Sequence, residues 1–457
     1  MNKTCRVVLC LAGTALSLWG QANAPAQAPP ETATATSSAG PPALQLRGAS
    51  VRHLTVSEAV ALALQNNRNI QLAGAAVSRA EAEQKELGSL FRPQILAGTG
   101  LAATQGFPLG IEGSAPSIFQ VFSSQSLFDP ILRNLEKQAG KMRDAAASSL
   151  EEKRDEIVAV TALAYLDLDR SRRALEYVRN QTKSLAGAAQ MVGERVREGL
   201  DPALESTRAE LEAARGRSQE VALENQAALL EFQLRDLLGI AEPVGIETEA
   251  AEIPLSWPDE NVDRAVALAW EKNSGLTALE EEIRAKEFQV RSEEATRWPR
   301  VNLIGQYGLF SDMNNFSDYF RKFSRHNATF GISVVVPVYE RERYAARLSK
   351  AETELAESRY RLEETRTAIA RQVRELWGQT QQQAAAREVA RLELDFARKS
   401  LDATLALYEE GRVSQLAVEQ ARAEETRSQV SLLEADYQAS RTRLALLRIT
   451  GQIRSVF

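Results

Sequence analysis

The strongest constraint on this 457-residue chain is an internal repeat. The stretch "LTVSEAVALALQNNRNIQLA", which begins at Leu54, returns as "ENVDRAVALAWEKNSGLTALE", which begins at Glu260. Val56, Ala59, Val60, Ala61, Leu62, Ala63 and Asn67 are matched by Val262, Ala265, Val266, Ala267, Leu268, Ala269 and Asn273, a constant shift of 206 positions that persists from Pro93 to Pro299. Further on the shift becomes 212 and carries Gly199, Leu204, Ala209, Glu212 and Gly239 to Gly411, Leu416, Ala421, Glu424 and Gly451. Self-similarity over such a length means a duplicated structural unit. The two copies cover 55–240 and 261–451, the connector 241–260 carries Pro243, Pro254 and Pro258, and 452–457 are left as a short C-terminal tail.

Within each copy one long segment lacks proline and repeats with a helical period. In the first, Leu168, Leu175, Thr182, Ala189 and Val196 recur every seven residues, with Val178, Leu185 and Val192 in the intervening seam positions. Pro130 to Arg197 then reads as one helix about 100 Å long, and its counterpart runs from Arg341 to about Glu410. A glycine turn and a shorter helix follow each, Ala203 to Leu238 and Ser414 to Thr450. Another short helix stands before the strands of each copy, Ile70 to Phe91 and Leu276 to Trp298, preceded in copy one by a helix that starts at a candidate N-cap, Ser57, and breaks at the Asn66, Asn67, Asn69 cluster. The two shorter helices of a copy add up to about the length of the long one and can stack end to end beside it.

Between short and long helix each copy holds two β-like runs. In copy two Val301, Leu303, Tyr307 and Leu309 alternate with Asn302, Gln306 and Gly308, and Phe330, Ile332, Val334, Val336 and Val338 with Thr329, Gly331 and Ser333. Copy one, "QILAGTGLAATQ" and "SIFQVFSSQSLFD", is less regular. Apolar side chains on one face and small or polar ones on the other suit a barrel wall between lipid and a wet lumen. Four strands cannot close a barrel, and an open edge in hydrocarbon leaves backbone N–H and C=O groups unpaired. Three copies of the chain supply twelve strands, an even number within the range of bacterial outer-membrane barrels. The alternative from the pattern alone is a secreted or periplasmic coiled-coil interaction protein with soluble hairpins and no channel.

Composition agrees with long helices: aromatic residues make up only 6% of the chain and charged residues 25%. Lys3 and Arg6, the apolar run "VVLCLAGTALSLWG" and the small residues "QANAPAQA" follow the order of a secretory signal, assigned to 1–24. A Pro/Ala/Thr-rich segment, 25–54, reads as a disordered tether. Cys5 and Cys10 both lie within the signal, so the mature chain holds no cysteine. Leu9 is bulkier than the residue expected before a lipidated cysteine, which argues against an anchor at Cys10. A net charge of -6 argues against a nucleic-acid binder.

The duplicated order of short helix, hairpin, long helix, glycine turn and helix resembles the TolC-type outer membrane efflux proteins, from Thr55 to Gly451. The most specific match is Tyr408, Gly411, Leu416 and Val418 in "YEEGRVSQLAVEQA", supported by "SLFD" at Ser126 to Asp129 and "PVYE" at Pro337 to Glu340. The resemblance implies a mainly α fold with a transmembrane β-barrel. Three chains would form a helical tunnel in the periplasm and a twelve-stranded barrel in outer membrane lipid, with an adaptor docked on the tunnel tips and an inner-membrane pump reached directly or through it. Docking then falls on Glu198, Gly199, Leu200, Tyr408, Gly411, Arg412, Val413, Ser414 and Leu416. Where the family often carries acidic constriction residues this chain has Ala417 and Gln420, with Glu419 on a different helical face, so the gate candidates are Glu205, Tyr408 and Arg412.

No catalytic motif is present: there is no glycine-rich phosphate loop, H-E-x-x-H or G-x-S-x-G. His53, placed in the tether, and His326, near a strand, suggest neither a metal site nor a general base. The acid pairs Glu151 with Glu152, Glu281 with Glu282 and Glu363 with Glu364 sit on arginine-rich helices and read as solvated faces. No enzyme, cofactor or metal is expected.

Overall fold

A computed structural model describes residues 51–100, 117–240, 245–249, 261–310 and 324–457. The expected signal, the tether up to residue 50, the end of the first copy-one strand run and most of the connector lie outside the described residues. Each copy opens with a short strand, β1 (Val51–Leu54) or β4 (Gly245–Thr248), and the two pair in parallel. Then follow α1 (Val56–Asn66), α2 (Arg68–Ser89), β2 (Gln94–Gly100), β3 (Ser117–Phe128), α3 (Pro130–Arg197) and α4 (Ala203–Leu238). Copy two supplies α5 (Val262–Lys272), α6 (Ser274–Glu294), β5 (Arg300–Phe310), β6 (His326–Val335), α7 (Arg341–Glu409) and α8 (Gln415–Ile449).

Two expectations about the start of order are corrected. Residues 51–54 belong to a strand and not to a tether, because β1 finds a partner strand in β4 inside the connector. The Tyr165 hydroxyl locks this pair onto α3, donating to the Leu54 carbonyl at 2.7 Å and accepting from the Glu249 N–H at 2.8 Å. Burial pushes that phenol up to about 12, so it stays neutral. The cap of α1 is Thr55 and not Ser57: Thr55 accepts from the Glu58 N–H while the Glu58 carboxylate accepts from the Thr55 N–H at 2.9 Å, a capping box.

The long helices start at strong local signals. Asp129 caps α3 by accepting from the Leu132 N–H at 3.0 Å, and Pro130 occupies the first turn, where its missing N–H costs nothing. At its far end Leu200 N–H donates to Arg195 O at 2.9 Å and Gly199 N–H to Val196 O at 3.0 Å, with Gly199 at φ 76°: a Schellman stop. The same pair of bonds ends α7 at Gly411, α4 at Gly239 and α8 at Gly451, all with positive φ.

Burial repeats with the sequence. Ile157, Val158, Thr161, Val178 and Thr182 of α3 are buried, and so are Ile369, Ala370, Val373, Ala390 and Leu394 of α7, each 212 positions on. The short helices meet end to end at two joints. Asn67 ends α1 and begins α2, accepting from the Asn69 N–H at 2.9 Å and donating to Leu237 O at the end of α4 at 3.1 Å. Asn273 does the same between α5 and α6, accepting from Leu276 N–H at 3.1 Å and donating to Ile449 O at 3.0 Å. The buried cores lie at these joints, around Val158, Tyr165, Leu168, Leu234 and Ile246 for the first and Val266, Leu276, Val373 and Leu446 for the second. Ile453 is fully buried in the first core and Arg454 pairs with Glu151 and Asp155, so the residues after Gly451 are docked and not a loose tail.

Four strands form one antiparallel sheet in the order β2-β3-β5-β6, with β2 and β6 as its edges. Register sets Val301 opposite Val334, Leu303 opposite Ile332 and Gly305 opposite Phe330, so the apolar alternations of β5 and β6 share a face. Phe330 on that face is 80% exposed. Copy one departs from the alternation: Leu96 and Phe122 pair with each other, and Phe122 pairs with Gln306, on the polar face. The helices extend the strip in the same order. In the half away from the sheet the neighbours run α4-α3-α8-α7, so α4 and α7 are its edges.

Candidate functional site

The two tip turns lie at the end of the molecule opposite the sheet. At the first, Leu200 and Leu204 are exposed, and Arg195 holds Asp201 through two hydrogen bonds, of 2.7 Å and 3.1 Å. The bond from Arg195 keeps the Asp201 carboxyl below the usual carboxylate range. At the second, Arg412 pairs with Glu410 at 3.1 Å, Ser414 caps α8 by accepting from Ala417 N–H, and Val413 and Leu416 are half-buried.

The gate trio is not joined within the chain. Glu205 pairs with Arg208 one turn along its own helix at 3.2 Å, and Arg412 with Glu410, because a neighbour three or two residues away is nearer than another hairpin. Tyr408 lies instead within electrostatic reach of Arg195.

What does join the two hairpins is a buried group. Glu419 is only 3% exposed and accepts from Ser184 Oγ on α3 at 2.7 Å. Arg422 lies 3.3 Å from the same carboxylate and donates to Ser184 Oγ at 2.7 Å. Farther from the tips Arg170 of α3 pairs with Glu434 of α8 and lies over the Tyr437 ring at 4.9 Å. From the sequence alone Glu419 lies on a different helical face from Ala417 and Gln420. One signal was available: its counterpart 212 positions back is Thr207, so copy one has nothing like it.

These contacts also stagger the tips. Ser184 stands fifteen residues before Gly199 but Glu419 only eight after Gly411, and Arg170 and Glu434 show nearly the same offset. Within a hairpin the register is level, as Arg179 with Glu220 and Arg387 with Asp436 show. Measured along the helices, the Gly199 turn therefore reaches about 10 Å beyond the Gly411 turn.

Other candidates have ordinary partners. His53 is in β1 and not in a tether, 3.1 Å from Glu247, and His326 Nδ1 is 2.8 Å from the Tyr307 hydroxyl. Glu151 pairs with Arg154 and Arg454, Glu281 with Lys141 and Arg284, and Glu363 with Arg366. Among the described residues no group of three or more His, Cys, Asp or Glu could hold a metal ion, and no helix is long and apolar enough to cross a membrane.

A duplicated helical hairpin strip ending in an open-edged sheet defines one protomer of an outer-membrane channel. The outer membrane efflux protein family matches residues 59–240 and 265–452, and the chain belongs to that family. Its four strands are one chain's share of a trimer's twelve-stranded barrel. Solved structures agree in fold. A membrane protein from Pseudomonas aeruginosa superposes with a TM-score of 0.73 at 20% identity, covering 87% of this chain and 92% of that one. The Campylobacter jejuni CmeC outer membrane channel gives 0.72 at 15%, with 87% and 85% covered, and the Vibrio cholerae outer membrane protein VceC gives 0.69 at 18%, with 87% and 96% covered. No curated protein sequence matches.

Proposed function

We propose that this protein is the passive outer-membrane conduit of a tripartite efflux or type I secretion system, with its helical tunnel in the periplasm. The observation that carries the reading is the pair of unlike edges. The strip ends in β2 and α4 on one side and in β6 and α7 on the other, and both sides leave backbone groups or apolar side chains unpaired. Joining one edge to the other edge of the next copy is a head-to-tail contact, which closes into a ring when the rotation permits. A water-soluble coiled-coil protein would leave Phe330, Ile332 and Val334 in water.

In this reading the chain does no chemistry; a periplasmic adaptor grips the free tips and an inner-membrane pump supplies energy. Glu198, Gly199, Leu200, Tyr408, Gly411, Arg412, Val413, Ser414 and Leu416 form the docking set. The exposed Leu200 and Leu204 suit an apolar contact made by the farther-reaching tip. Glu205, Tyr408 and Arg412 are proposed to line the mouth beside it.

The test begins with the mass of protein extracted from the outer-membrane fraction in mild detergent, by light scattering corrected for detergent. Three protomers are expected, and a monomer under conditions that keep known trimers intact would overturn the channel. Cysteines placed at Leu200 and Ser414 should then cross-link to a co-expressed adaptor, and bulky residues at Gly199 and Gly411 should abolish this. Unchanged cross-linking in those variants would remove the tips as the docking site.

A further inference from the structure

We propose that the inner wall of the tunnel carries a binding site for amphiphilic organic cations, at the joint where α8 meets α6. The inference rests on the channel reading above and adds to it a class of cargo.

The site is a cavity of about 740 Å³, within the roughly 300–1,000 Å³ of small-molecule sites. It opens where α8 and α6 meet end to end between α3 and α7, because small residues, Ala145, Gly275, Ala278 and Ala445, stand at the meeting. Leu279, Ile369 and Ile449 give it an apolar lining. Three carboxylates and one cation, Arg448, also line it. Asp155 is engaged by Arg454 at 2.5 Å and by Ser274 at 3.3 Å. The side chains of Glu152, Glu282 and Arg448 have no hydrogen bond or ion pair among the described residues. Glu152 stands at the start of α6, where a Cβ on Gly275 would lie 3.1 Å from its carboxyl carbon. A carboxylate is favourable at a helix N-terminus. Two unengaged carboxylates against one arginine, beside an apolar lining, call for a ligand with a positive charge and an apolar body.

The direction in which the cavity opens follows from α3. Ser149 and Glu152 lie roughly 160° around that helix from Tyr165 and Arg172 respectively. Tyr165 and Arg172 hold the β1–β4 pair, donating to Leu54 O and Ile246 O. In a ring that layer stands outside, since inside it would fill the bore, so the cavity faces the bore. Its lining comes from one chain, and each protomer of a trimer therefore has its own. The duplication did not supply it twice. At the other joint Leu279 and Glu282 correspond, 206 positions back, to Ala73 and Ala76.

Equilibrium dialysis of detergent-purified protein of measured mass against tetraphenylphosphonium tests this, with tetraphenylborate, an anion of the same shape, for comparison. Saturable binding of the cation at one site per chain is expected, with the anion bound far more weakly. Glu282→Gln should weaken the cation about tenfold, the size of one charged contact. Ser149→Trp changes an exposed residue at the cavity, with little risk to folding, and should block the space and abolish binding. Glu364→Gln, the counterpart of Glu152 on α7 and outside the cavity, should leave binding unchanged. The inference is overturned if the cation binds without saturation, if the anion binds equally well, or if either cavity variant binds as the wild type does. Wild-type protein that binds the cation as expected but forms no trimer overturns the channel reading, since the cavity is complete within one chain. A trimer that binds no cation overturns this inference alone.

Discussion

The joints and the tips are built from the same turn, yet they differ in what surrounds it. All four end a helix with a left-handed glycine and a Schellman pair of hydrogen bonds. At the joints the glycine is crowded: a Cβ on Gly451 would lie 2.4 Å from Lys272 O, and one on Gly239 2.8 Å from Asn66 Cβ. At the tips a Cβ on Gly199 or Gly411 meets nothing within 4 Å. The same local device thus packs one helix end against another in the middle of the molecule and leaves a free end for a partner at its extremity.

Substitutions rank that difference. Gly451→Ala should have the largest effect, on the order of 3 kcal/mol in denaturant unfolding, because backbone strain adds to a clash with a carbonyl that has no room to move. Asn273→Ala, which removes a helix cap and the bond to Ile449 O together, should cost about 2 kcal/mol. Gly199→Ala and Gly411→Ala should cost only about 1 kcal/mol each, the strain of the left-handed backbone alone. A tip variant as damaging as Gly451→Ala would erase the distinction between packed and free turns.

The smallest effect sharpens the comparison by pH. Asp169 stands beside the first joint, and burial raises its carboxyl above the ordinary aspartate range despite Arg173 and Thr248. Between the ordinary range and that raised value the folded chain keeps a proton the unfolded chain has released. Stability therefore falls as pH rises through that window. Asp169→Asn should flatten that part of the pH profile, and an unchanged profile would mean that the carboxylate is better solvated than its burial implies. At the mouth, Glu205→Ala with Tyr408→Phe should raise single-channel conductance, and an unchanged conductance would remove both residues from the gate.

Much of the scaffold was legible residue by residue. The limits of α3 and α4 fall where Pro130, Gly199, Pro202 and Gly239 set them, and those of α7 and α8 within one residue of expectation. Thr55 was legible too, since Thr and Glu three apart spell a capping box, but Ser57 drew attention from it. The strands β1 and β4 were not, because four residues carry no alternation to read and their pairing joins segments 194 positions apart. The mixed faces of copy one blurred for the reason the register shows, that Leu96 and Phe122 turn to the polar side.

The sequence by itself determined the duplication, the extents of the long helices and of the helices that follow them, and the glycine turns that end them, because caps, prolines and glycines act over four or five residues and need no distant partner. Only the tertiary structure decided that Glu419 is buried and that one tip reaches past the other. Those outcomes depend on which helix lies beside which and at what axial offset. That is settled by lateral packing of whole helices against their neighbours, where a side chain's surroundings come from residues hundreds of positions away.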